Sequence, residues 1–235
     1  MEPFSRTQLL LGKDAMEKLN NATVAVFGLG GVGGYTVEAL ARSGVGALEL
    51  IDHDTISITN INRQILATHS TVGMDKAEAA KNRVLDINPE IKVTPRKEFF
   101  GPDTAGNFDF SKYDYVVDAI DTVTGKLALV QAAQAANTPI LCCLGTGNKL
   151  DASRFCVTDL SKTSGCPLAR VMRRELKARG IGHLKVVYSI EEAKKPISLT
   201  KEEGTRIPPA SLPFVPPVAG LLMAGEIIRT LANKE

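Results

Sequence analysis

The sequence predicts an α/β fold built on a doubly wound, mostly parallel sheet. Three observations predict it. Short β-branched runs alternate with helix-forming segments through the first two-thirds of the chain, a glycine cluster joins the first such strand to the first helix after it, and no internal repeat interrupts the alternation. The first strand is Thr23 to Phe27 (TVAVF), followed by GLGGVGG and the helix YTVEALARSG, which Gly44 ends. Ala47 to Ile51 (ALELI) reads as a second strand, and residues 73–85 as a helix with Ala77, Ala80, Val84 and Leu85 on one side, stopped by Pro89. Ile91 to Thr94 is a third strand, Tyr113 to Ile120 a fourth, Lys126 to Ala136 a helix and Pro139 to Leu144 (PILCCL) a fifth strand. Beyond Gly145 the pattern predicts a smaller C-terminal α+β extension. It comprises a strand over 155–158, an amphipathic helix over 167–178, a strand over 185–188 and a final apolar helix opened by Pro216. Residues 191–213 are polar and punctuated by proline, too long for an idle loop, and are expected to be mobile or ordered by a partner.

Composition limits the function classes. A chain of 235 residues can bury a sizeable core, and a net charge of +2 with 23% charged residues excludes a wholly basic nucleic-acid binder. A local basic patch is not excluded. Phe 8, Tyr 4 and Trp 0 leave little material for base-stacking platforms, so any RNA would be held through phosphates and shape. The four cysteines (Cys142, Cys143, Cys156, Cys166) form no C-x-x-C pair, which speaks against a zinc ribbon and for free thiols in a reducing, cytoplasmic setting. The N-terminus lacks the signal-peptide pattern, and the longest apolar stretch, residues 215–225, is short of the roughly 18–20 residues of a membrane span.

The cluster Gly28, Gly30, Gly31 and Gly33 stands where a nucleotide loop requires it, after a buried strand and at a helix N-terminus, whose unpaired N–H groups attract phosphate. Asp52, closing the next strand, is placed to accept ribose hydroxyls. The motif does not say which nucleotide. The residues from Asp52 onward are more specific: Asp52, His53, Asp54, then Asn60, Asn62, Arg63 and Gln64, then Lys76, then Asp121 after the fourth strand. One such cation alone is more often a surface ion-pair partner. Arg63 and Lys76 together suggest a triphosphate clamp, and Asp121 a ligand for Mg2+ bridging phosphate oxygens.

The string GLGGVG, ELIDHD, TNINRQ, GMDKA, DAIDT resembles the adenylation domain shared by ubiquitin-activating enzymes and the bacterial thiamine- and molybdenum-cofactor adenylyltransferases, over roughly residues 4–160. The resemblance implies ATP as the nucleotide, held by the four glycines, Asp52 and Asp54, with Asn60, Arg63, Gln64 and Lys76 at the phosphates and Asp121 on Mg2+. The opening FSRTQLLLG resembles that family's N-terminal arm and implies a homodimer in which Arg6 acts in the partner's site. The zinc cysteine pairs of the cofactor enzymes and the cysteine domain of the ubiquitin activators are both missing. The stretches VTDLSKTSGCPLARVMRRELKARGI and IPPASLPFVPPVAGLLMAGEIIRTL resemble the tRNA threonylcarbamoyladenosine dehydratase branch, except at Cys166, where an acidic residue is expected. The implied organisation is an N-terminal arm over 1–20, an ATP-binding domain over 21–160, and a substrate- and dimer-contacting region over 161–235.

The resemblance implies ATP-dependent activation of the substrate carboxylate as an acyl-adenylate. A neighbouring urea atom would then close a five-membered ring at position 37 of tRNA. Because both groups belong to one molecule, the effective molarity is high and no enzyme nucleophile is needed. Catalysis would rest on charge stabilisation by Arg63, Lys76, Arg6 and the Asp121-held magnesium. Cys166, near Arg170 and Arg173, has a competing reading as an acceptor thiol, which Pro167 and the helix start disfavour. For tRNA, Arg170, Arg173, Arg174 and Lys177 recur at helical spacing on one face, opposite Leu168, Met172 and Leu176, within a region of local charge +6. A solvated charged face is the competing reading. A sulfurtransferase-like protein is a further candidate partner. Two other functions remain open: adenylation of a ubiquitin-like sulfur carrier, and a non-adenylating Rossmann oxidoreductase or binding module.

Overall fold

A computed structural model of the chain describes residues 3–197 and 209–233. Two short helices, α1 (Ser5–Leu11) and α2 (Lys13–Asn21), precede the strands β1 (Thr23–Phe27) and β2 (Ala47–Ile51), which flank α3 (Gly33–Arg42). Then come α4 (Lys76–Ile87), β3 (Lys92–Arg96), β4 (Tyr115–Asp118), α5 (Val123–Ala135) and β5 (Ile140–Cys143). The C-terminal extension supplies β6 (Phe155–Asp159), α6 (Pro167–Ala178), β7 (Lys185–Ser189) and α7 (Val215–Leu231). The seven strands form one sheet in the order β3-β2-β1-β4-β5-β7-β6. Every pairing is parallel except that of β6 with β7, so β6 closes the far edge in the antiparallel sense. The doubly wound, mostly parallel sheet expected from the alternation is therefore present.

The period-2 alternation of the strands divides the core between the two faces. Val24, Val26, Leu48, Leu50 and Val117 face a cluster completed by Leu40 of α3, Val84 of α4, and Met223 and Ile227 of α7. Ala25, Phe27, Ile51 and Val116 face the opposite cluster, with Leu129 of α5 and Met172 and Leu176 of α6. Half of the phenylalanines meet there: Phe27 lies edge-on to Phe100 at 4.8 Å between centroids and stacked on Phe110 at 5.8 Å, with Phe108 at 5.3 Å. Each such ring buried contributes about 1.5–3 kcal/mol, and these rings are buried against the sheet.

Three local differences from the sequence reading have physical causes. The helix expected over 73–85 begins at Lys76, because Gly73 has φ +90° and the backbone N–H of Lys76 donates to the Asp54 carbonyl. The fourth strand ends at Asp118, so Asp121 sits on the loop beyond the strand end. Of the segment 191–213, residues 198–208 lie outside the described residues, while both flanks are pinned to Asn148: Lys194 N donates to its carbonyl at 2.7 Å and Ala210 N to its side-chain oxygen at 2.8 Å. No helix among the described residues is long and apolar enough to cross a membrane.

Candidate functional site

Chain order leaves β1 in one direction through β2 and β3 and in the other through β4 and β5. A crevice must open at the carboxyl ends of β1 and β4, where connections diverge. The two strand ends touch: Gly28 has φ +91°, and a Cβ there would lie 2.6 Å from the Ala119 carbonyl oxygen. At Gly33 a Cβ would overlap the Gly28 carbonyl, so α3 can start against the loop only with glycine at that position. Above this turn lies a cleft of about 480 Å³, within the size range of nucleotide sites.

Gly28, Gly30 and Gly31 line the cleft, with Gly33 buried behind them. Asp52 anchors the loop from β2: Leu29 N donates to its Oδ2 at 2.7 Å and Asp54 N to its Oδ1 at 2.9 Å. Each oxygen retains a lone pair for a further donor. Lys76, 5% exposed, brings its Nζ to 2.7 Å from Asp54 Oδ2 and 3.9 Å from Asp52 Oδ2. Burial pushes the Asp54 carboxyl up, but the hydrogen bond and charge of Lys76 outweigh it and hold Asp54 below the ordinary aspartate value. Asn60, Arg63 and Gln64 complete this wall. Asn60 Oδ1 accepts from Ser57 N at 3.0 Å, closing the short turn that presents Arg63, whose Nη1 donates to Thr59 O and Asn62 Oδ1. Asp121 lines the opposite side, exposed and without an ion pair or hydrogen bond among the described residues.

Three features of the cleft were not singled out from the sequence. Lys126 forms the floor, 1% exposed, donating from Nζ to Asp118 Oδ1 at 3.0 Å and to the Cys143 carbonyl at 2.7 Å. Burial opposes its charge, yet the Asp118 carboxylate outweighs burial and keeps the lysine above its usual value. Lys126 is the one charged residue of α5, which was the available signal for the residue though not for its partner, because a charge buried on that helix needs a counter-ion. The loop Leu144 to Gly147 after β5 forms the far wall, and Pro209, Ser211 and Pro216 reach it from the C-terminal region. Phe99, packed edge to face at 5.0 Å against His53 of the motif, stands on the outer rim.

The remaining expected residues lie elsewhere. Arg6 is exposed on α1 and does not line the cleft of its own chain. The four cations of α6 are also outside the cleft, although Leu168 of that helix reaches it. They are not equivalent: Arg173 turns its guanidinium inward onto the Thr163 hydroxyl and carbonyl, and Arg174 pairs with Glu175 at 2.8 Å. Arg170 and Lys177 are exposed and unpaired among the described residues. Cys166 caps α6, its sulfur accepting from Ala169 N at 3.5 Å. Burial pushes the Cys143 thiol up to about 12 and Cys142 well above its ordinary value, as inert strand-core thiols require.

The glycine turn, the Asp52 carboxylate and the cations Arg63 and Lys76 all sit at one switch point, and comparison with known proteins gives them a family. Residues 4–235 match the ThiF family. The chain belongs to the ThiF family. Among ThiF-type relatives, the tRNA threonylcarbamoyladenosine dehydratase of Bacillus subtilis is 42% identical over 98% of this chain and 95% of its own length. That of Escherichia coli is also 42% identical, over 74% of this chain and 65% of its own length. The crystal structure of the E. coli tRNA N6-threonylcarbamoyladenosine dehydratase in complex with ATP superposes with TM-score 0.89 at 34% identity, covering 98% of this chain and 94% of that one. The C-terminal region, where the sequence departs from zinc-bearing adenylyltransferases, is thus inside the match.

Proposed function

We propose that this chain is an ATP-dependent tRNA threonylcarbamoyladenosine dehydratase, closing the threonylcarbamoyl side chain at position 37 through an acyl-adenylate. The observation that carries the reading is similarity to dehydratases over nearly the whole chain, with the nucleotide-type cleft at its centre. The substrate carboxylate attacks the α-phosphorus of ATP and pyrophosphate leaves. The ureido group then attacks the activated acyl carbon, AMP leaves, and the proton lost from the ureido group is released. Arg63 and Lys76 supply positive charge where the phosphates develop negative charge, and Asp52 orients the ribose. Lys76 is preorganised for this, since Asp54 holds it in one position before ATP arrives.

Mg2+ fits Asp121: the carboxylate is a hard oxygen donor on the cleft wall and has no other partner among the described residues. Bound there, the ion would neutralise charge on the phosphate oxygens. Arg6 is assigned to the cleft of a second copy, so the working unit is a homodimer; the high exposure of Leu9 and Leu10 on the same helix, 87% and 85%, supports a covering partner. Residues 161–235 are assigned to tRNA and dimer contact, with Arg170 and Lys177 as the phosphate-binding cations of α6. We assign the enzyme to the cytoplasm, a location that a tRNA substrate supports.

Pyrophosphate exchange tests the reading. Transcripts or cellular tRNA bearing threonylcarbamoyladenosine should stimulate incorporation of labelled pyrophosphate into ATP. Exchange stimulated by a carrier protein with a Gly-Gly tail, and not by that tRNA, would contradict it.

A further inference from the structure

We infer that Ser211 and Gln64 form the subsite for the ureido group of the acyl substrate, with Asn148 and Asn62 as positioning residues for the segment that carries Ser211. The inference rests on the dehydratase reading and adds a substrate contact to it. Residues 209–211 are distant in sequence from the rest of the cleft wall, yet they are fastened to it. Asn148 binds Ala210 twice, accepting from its N–H through Oδ1 at 2.8 Å and donating its own backbone N–H to the Ala210 carbonyl at 2.7 Å. Asn62 Nδ2 donates to the Ser211 carbonyl at 3.1 Å, immediately beside Arg63. Pro209 packs so closely on the far-wall loop that a Cβ at Gly147 would lie 2.6 Å from its Cβ. Asn148 has φ +61°, a left-handed conformation that asparagine and glycine tolerate.

Four buried side-chain atoms lack a hydrogen-bond partner among the described residues: Gln64 Oε1, Ser211 Oγ, Asp118 Oδ2 and Thr122 Oγ1. Only the first two belong to residues lining the cleft. Buried polar atoms are normally satisfied, so an unsatisfied pair in a binding cleft marks where a ligand's polar atoms belong. Gln64 is 7% exposed and its amide oxygen can only accept. Phosphate oxygens only accept as well, so that atom does not serve ATP phosphates; it requires an N–H or O–H. The Ser211 hydroxyl can donate to a carbonyl. An acceptor and a donor match the N–H and C=O of a ureido group. The Gln64 amide nitrogen stays available to a phosphate, which lets one side chain hold the two reactants in register.

The test uses the full-length enzyme, with ATP affinity measured separately from steady-state turnover of tRNA bearing threonylcarbamoyladenosine. Ser211→Ala should lower kcat/KM for that tRNA by about tenfold or more, the scale of one buried hydrogen bond left unmade, while leaving the ATP Kd unchanged. Ser211→Thr, which keeps the hydroxyl, should recover most of the loss. Asn148→Gly keeps the backbone conformation but loses the side-chain acceptor and should resemble Ser211→Ala; Asn148→Asp keeps the acceptor and should resemble wild type. Unchanged kcat/KM in Ser211→Ala, or a fall matched by an equal loss of ATP affinity, overturns the subsite alone. A wild-type enzyme that fails to turn over this tRNA overturns the functional reading and the subsite with it.

Discussion

Replacing Lys126 with methionine should strongly destabilise the protein. The side chain is 1% exposed and its counter-ion Asp118 is fully buried. Methionine fills nearly the same volume but removes both the 3.0 Å bond to Asp118 Oδ1 and the 2.7 Å bond to the Cys143 carbonyl. The result is a carboxylate without a cation in the core, a loss of about 3–5 kcal/mol when one partner of a buried pair is removed. For a chain of this size, roughly 2–4 °C per kcal/mol gives a Tm lower by about 6–20 °C. Ile120 N also donates to Asp118 Oδ1 at 3.1 Å, so the start of the loop carrying Asp121 should loosen and ATP affinity should fall. Asp118→Asn in the same chain removes the stranded charge while keeping that acceptor, and should recover more than half of the stability. Urea denaturation of the two single variants and the double variant measures the coupling. A Lys126→Met loss below about 1 kcal/mol, within the range of exposed ion pairs, would show that the pair does not carry this stability, as would a double variant no more stable than the single.

Four further outcomes are expected. Glu38 is 8% exposed; burial pushes its carboxyl up, but hydrogen bonds and charge from Arg83 and Arg42 hold it below the ordinary 4.5. Its stabilisation should be complete above that ordinary value and lost as pH falls through the depressed folded value. The arginine partners are half exposed, so Glu38→Gln should cost about 0.5–1 kcal/mol at neutral pH and nothing in strong acid, as read by denaturation at each pH. Asp121→Ala should lower pyrophosphate exchange by about 10²–10³-fold or more, and full exchange would refute the magnesium assignment. Alkylation of the native protein near pH 8 should modify Cys156 and Cys166 and spare Cys142 and Cys143, while Cys166→Ala keeps at least about a tenth of the ring-closing activity; background activity would show that a thiol takes part in the chemistry.

The nucleotide half of the cleft was legible in the sequence because its determinants are local. A strand, a glycine turn and a helix N-terminus succeed one another within residues 23–42, and Asp52 reaches the loop from the next strand in the chain. The alternation of strands and helices was sufficient for the sheet, since parallel neighbours require crossovers. The other half depends on contacts that no spacing records. Ser211 reaches the cleft only because Asn148 holds Ala210 across 62 residues of chain and Asn62 holds Ser211 across 149. Helical spacing placed Arg173 on a basic face with Arg170, Arg174 and Lys177. It did not reveal that the turn before α6 folds its Thr163 carbonyl over that guanidinium, leaving Arg170 and Lys177 as the exposed cations without a partner among the described residues. The Asp118–Lys126 pair was likewise hidden, because eight residues of separation across a strand end and a helix start gives no periodic signal.

We propose that this cleft activates a carboxylate on tRNA so that the same molecule closes a ring with loss of water. Mass spectrometry of the anticodon-loop nucleoside tests it most directly, after incubation of the enzyme with ATP, magnesium and tRNA bearing threonylcarbamoyladenosine. The expected product forms only with ATP and is lighter than the starting nucleoside by the mass of one water. A nucleoside of unchanged mass, under conditions where the enzyme binds both ATP and tRNA, would contradict the claim.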